Sequence, residues 1–171
     1  MLTKQATFIA AITLQVIIVF AIIISKLSVL SGGTDVLLRI EPVDPRDMLR
    51  GDYATFQYSS VSNPDSYLSG GQQIGTGDTV YVTLQQSGKY WIAHRIQKTK
   101  PLGGETILKG KVSSGSGSSI HIVYGIEQYF IPEGKGQGFS FFNKEAAAKV
   151  AVDENGNGVL KQIYIDDKPW P

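Results

Sequence analysis

Residues 6–25 read ATFIAAITLQVIIVFAIIIS, a run with no charge, no proline and no glycine. As a helix rising 1.5 Å per residue it would be about 30 Å long, the thickness of a bilayer's hydrocarbon core. Within it only Thr7, Thr13 and Gln15 interrupt the apolar surface, whereas a helix packed in a water-soluble domain carries a polar stripe. The run therefore reads as a membrane span. A cleaved secretory signal is the nearest rival, because Lys4 precedes the run and Val29, Leu30 and Ser31 follow at cleavage spacing. The apolar stretch exceeds the roughly 7–15 residues of a secretory core, which favours an uncleaved signal-anchor.

The short basic tail sets the expected orientation: N-terminus cytoplasmic, remainder of the chain extracytoplasmic. On this reading residues 1–30 are tail and anchor, residues 31–34 (SGGT) a flexible linker, and residues 35–171 an outer domain. With Lys4 and Lys26 set aside with the anchor, 14 basic side chains face 15 acidic ones, which leaves no electrostatic footprint for nucleic acid. The chain has no cysteine, so disulfides, thiolate catalysis and cysteine-ligated metals are excluded.

From Asp35 onward the pattern alternates with period two and is punctuated by Gly, Asn and Pro, which predicts strands. They fall at residues 36–41, 53–59, 78–85, 89–97, 106–113, 119–124, 149–153 and 159–165. Val80, Val82 and Leu84 share one face of the third strand. Tyr90, Ile92, His94 and Ile96 are expected to share one face of the fourth. Ser87-Gly88 and the GSGS of residues 115–118 read as hairpin turns, and residues 125–132 lead into a glycine-rich loop. A short helix is expected at residues 143–148, with Asn143 as N-cap and alanines inside. The expected fold is mainly β: a single transmembrane helix, then an antiparallel β-rich domain with one short helix.

Motifs that suggest chemistry also have plainer readings. Arg50-Gly51-Asp52 matches an adhesion tripeptide, but a strand follows at once. Asp153-Glu154-Asn155-Gly156-Asn157-Gly158 begins like a calcium loop, yet Lys161 and Tyr164 stand where ligands belong, and a β-turn uses the same residues. His94 and His121 are the two histidines; a metal site would need both to converge with an acid such as Glu127, so no metal or cofactor is expected. Gly-Asp occurs at 51–52 and again at 77–78, each time before an alternating strand. Glycine supplies positive φ there and aspartate bonds nearby amides, which makes both pairs strand-entry devices.

Gly51-Asp52-Tyr53-Ala54-Thr55-Phe56-Gln57-Tyr58 resembles the signature of the GDYXXLXY protein family, with Phe56 in the leucine position. Tyr124-Gly125-Ile126-Glu127-Gln128-Tyr129-Phe130, followed by Ile131-Pro132-Glu133-Gly134, is similar to that family's second block. The resemblance implies a membrane-anchored bacterial protein of undefined biochemistry and brings no catalytic residue with it. Tyr53, Phe56 and Tyr58 would pack along the sheet, and exchanging Leu for Phe keeps an apolar inward position. A fainter likeness to signal peptidase I rests on the order of Gly51-Asp52, Gly77-Asp78 and His94-Arg95. In that register Val43 stands in the place of the serine nucleophile and His94 in that of the general-base lysine, so Ser-Lys acyl transfer is ruled out.

The functional expectation is a non-enzymatic accessory, binding or assembly module of the bacterial cell envelope. Its partners would be the membrane, through residues 6–25, and other envelope proteins, with oligomerisation left open. Docking is expected at strand edges and at the loop formed by Glu133, Gly134, Lys135, Gly136, Gln137 and Gly138. The alternatives are an envelope hydrolase built on Asp52 and Glu127, and a filament or surface-assembly subunit.

Overall fold

The computed structural model describes residues 3–42, 53–116, 119–130 and 144–170. Helix α1 (Lys4–Gly32) is 29 residues long, roughly 43 Å at the helical rise. The Oγ1 of Thr3 caps it by accepting from Ala6 N at 3.3 Å. Inside it, the hydroxyls of Thr13 and Ser31 donate to Ile9 O and Leu27 O, each at 2.9 Å, so these polar groups are satisfied within the helix itself. Phe8, Ile17, Ile18 and Phe20 stay exposed, and Val29 is the one buried residue of α1. The helix is long and apolar enough to cross a membrane.

The remainder is mostly β, in two antiparallel half-barrel sheets. Ten strands are described: β1 (Thr34–Pro42), β2 (Tyr53–Tyr58), β3 (Thr79–Ser87), β4 (Tyr90–Gln97), β5 (Ile107–Ser116), β6 (Ser119–Val123), β7 (Gln128–Phe130), β8 (Ala146–Val152), β9 (Gly158–Ile165) and β10 (Lys168–Trp170). One sheet has the order β10-β9-β8-β1-β2-β7, the other β4-β3-β5-β6. Strand β1 divides its partners: residues 34–39 pair with β8, and Ile40, Glu41 and Pro42 pair with β2. Between the sheets lies one apolar core, to which β1 gives Val36, Leu38 and Ile40, β2 gives Phe56 and Tyr58, β3 gives Val80, Val82 and Leu84, and β8 gives Val150 and Val152.

Three expectations from the sequence need correction. Where the sequence predicts a helix at residues 143–148, Ala146, Ala147 and Ala148 instead open β8, between β1 and β9, and all three are buried. Alanine's helix propensity is a weak preference that pairing on both sides overrides; Asn143 lies outside the described residues. The described short helices are instead α2 (Ser59–Ser62) and a single 3-10 turn (Ser66–Ser69).

The single face expected of Tyr90, Ile92, His94 and Ile96 is broken by a bulge. Thr83 pairs with Arg95 but Leu84 pairs with Ala93, so His94 is the extra residue. Ala93 and Ile96 are buried while His94 and Arg95 face outward, the change of face that a bulge imposes. Finally, the linker has almost no length, because α1 runs through Gly32 and β1 starts at Thr34. A Cβ on Gly33 would stand 2.6 Å from Val29 O and 2.9 Å from Val152 O, so the junction is a close backbone crossing that requires glycine.

Candidate functional site

The two sequence blocks that carry the family resemblance meet in one place. Strand β2 ends at Tyr58, and α2 turns the chain back so that Ser62 Oγ accepts from Tyr58 N at 2.9 Å. The Tyr58 hydroxyl donates to Ile126 O, and Phe56 N donates to Glu127 O at 3.0 Å. In return the Tyr124 hydroxyl donates to Val61 O at 2.7 Å. The second block therefore anchors Tyr58 of the first to backbone, and α2, directly after the first block, anchors Tyr124 of the second. Phe56 and Tyr58, both fully buried, stack edge to face with ring centroids 5.6 Å apart, a preferred aromatic geometry.

Glu127 closes the turn at the centre of the second block. Its carboxylate accepts from Tyr124 N at 2.5 Å and from Ile126 N at 2.9 Å, while Gly125 between them takes φ 78°, a left-handed conformation that glycine adopts without cost. The Tyr129 ring meets that of Trp170 in β10 at a tilt, with centroids 5.7 Å apart. Tyr53 opens β2 opposite Phe130. Gly51, Asp52 and the loop residues Glu133, Gly134, Lys135, Gly136, Gln137 and Gly138 lie outside the described residues, as does Arg50.

Gly110 was not singled out from the sequence, although an isolated glycine inside a strand is a sign of close approach. A Cβ there would stand 2.4 Å from Ile122 Cγ2 and 2.8 Å from Tyr124 Cε1, so the Tyr124 ring lies directly on the β5 backbone. Gly110→Ala is expected to destabilise by about 1–3 kcal/mol through overpacking. A denaturant midpoint equal to that of the unaltered chain would contradict this packing.

Burial pushes the hydroxyls of Tyr58 and Tyr124 well above the ordinary phenol range, and the nearby Glu127 charge adds to both shifts. The fold holds the neutral phenols, so their contribution to stability is complete below the unfolded value near pH ~10. It is lost as pH rises from there towards the folded values. Of the eight tyrosines, these two should ionise late and together with loss of the circular dichroism signal. A smooth titration of all eight in the folded state would show the hydroxyls to be accessible.

The other candidates are dispersed. His94 and His121 stand on β4 and β6, the two outer strands of the four-stranded sheet, and the register sets His94 level with Ile107 of β5 but His121 opposite Ser114, so the two are separated along the strands as well as across them. The Nδ1 of His121 lies 2.7 Å from Asn63 Oδ1. Glu127 belongs to the tyrosine junction. The Asp153 loop is a turn joining β8 to β9: Asp153 Oδ1 accepts from the backbone N–H of Asn155 and of Asn157, both at 2.8 Å. The second Gly-Asp pair is a strand-entry device, with Gly77 at φ 91° and Asp78 Oδ2 accepting from Gly75 N at 2.8 Å.

The GDYXXLXY protein family matches residues 15–163, from within α1 to within β9. The chain belongs to that family. No curated protein and no solved structure matches it. The family's two sequence blocks are thus two sides of one hydrogen-bonded junction, and the match begins further towards the N-terminus than the two blocks do, taking in the second half of the apolar helix.

Proposed function

We propose that the protein is a non-enzymatic, membrane-anchored binding or assembly module of the bacterial cell envelope. Helix α1 spans the bilayer with its N-terminus cytoplasmic, and the β-rich body stands outside. The observation that carries this reading is the direct continuation of an apolar helix, exposed along its membrane-length stretch, into β1 of the folded body. The tyrosine junction supports it: the family's most distinctive described side chains are committed to backbone partners, as structural side chains are. Partners dock on strand edges, which offer unpaired backbone groups; among the described strands, β10 and β7 are the outermost of the larger sheet.

Affinity capture of the full-length chain from detergent-solubilised membranes tests the proposal. A specific membrane or envelope companion should co-purify, and should be lost when Pro substitutions are placed in an edge strand. Capture without any companion, under conditions that retain other envelope complexes, counts against it.

A further inference from the structure

We infer that the loop joining β4 to β5 touches the lipid surface beside the anchor, with Leu102 as the inserted side chain. The inference rests on α1 spanning the bilayer. If residues 6–25 fill the hydrocarbon, residues 26–32 carry the helix roughly 10 Å further, through the headgroup layer. Gly32 then stands at that layer's outer margin. Gly32 and Leu102 line the same hollow of about 640 Å³, so the loop lies at the level where the helix leaves the membrane.

The mount holds that level. Val29 of α1 is buried, and the crossing at Gly33 leaves no room for a side chain between α1 and Val152. The first strand is clamped as well: Asp35 pairs with Lys149 at 2.9 Å and with Lys161 at 2.6 Å. The loop is tied to the same end of the body, since Lys100 Nζ donates to Asn155 Oδ1 at 2.9 Å in the β8–β9 turn. At its tip, between Pro101 and Gly103, Leu102 is wholly exposed at 106%. An isolated leucine on a surface is ordinary. A leucine at a loop tip on the pole that the membrane anchor leaves has a nearby apolar phase to enter, and apolar side chains with flanking lysines suit that interface.

The chain lacks cysteine, so single-cysteine labelling is unambiguous. The full-length variants Leu102→Cys, Ser87→Cys and Ile17→Cys would each carry an environment-sensitive fluorophore in phosphatidylcholine and phosphatidylglycerol nanodiscs containing nitroxide lipids. Ser87 is exposed at the opposite pole, next to the turn where Lys89 pairs with Asp167 at 2.8 Å. The Ile17 label should be quenched by acyl-chain nitroxide. The Leu102 label should be quenched severalfold more than the Ser87 label by headgroup nitroxide, with blue-shifted emission. Quenching at Ile17 with Leu102 no different from Ser87 overturns the lipid contact, keeps the anchor, and leaves the loop as a surface for a protein partner. No quenching at Ile17 removes the anchor reading and this inference with it. Leu102 makes no core contact, so loss of folding would not confuse these outcomes.

Discussion

Phe56→Ala is expected to remove about 3–5 kcal/mol of folding stability, a large share of the 5–15 kcal/mol typical of a domain. Phe56 is fully buried, packs edge to face on Tyr58 and belongs to the core cluster shared by both sheets. Truncation would leave a cavity beside a tyrosine whose hydroxyl is aimed at Ile126 O. Phe56→Leu, which restores the residue written into the family signature, should cost far less because the site stays apolar and largely filled. Thermal unfolding of the detergent-solubilised chain, followed by circular dichroism, measures both. If the alanine and leucine variants melt together near the parent temperature, Phe56 does not hold the sheets together.

The second large effect concerns α1 as the proposed membrane span. Ile17→Arg combined with Phe20→Arg puts two cations near the middle of α1, where each costs about 2.5–3.5 kcal/mol on insertion scales. Both native side chains are exposed along α1, so no contact within the protein is lost. The doubly substituted chain should leave the carbonate-washed membrane fraction, while Ile17→Leu with Phe20→Leu remains in it. Equal retention of the two variants would mean that α1 does not sit in lipid.

Both expectations involve features that the sequence displays directly. A run of apolar residues is visible without any partner, and so is period-two alternation on β3, where Val80, Val82 and Leu84 enter the core as expected. The failures arose where a neighbour decides the outcome. Ala146, Ala147 and Ala148 look helical in isolation, and only β1 on one side and β9 on the other make them strand. The bulge at His94 leaves no mark in the composition of β4, because it is a relation between two strands. The tyrosine junction was half legible. Tyr58 and Tyr124 announce themselves through the family blocks, but the acceptors Ile126 O and Val61 O are main-chain atoms that no side-chain pattern encodes.

The pairing of β1 with β8 sets Thr34 opposite Val152, so the first strand after α1 waits for one that ends at residue 152. A ribosome must deliver the chain through residue 152 before that ladder can close. Until then β1 presents an open row of amides and carbonyls at the site of synthesis, within reach of whatever chaperone or neighbouring chain shares the compartment. A premature stop upstream of β8 would make that transient edge permanent, so truncated products should aggregate while the finished chain does not.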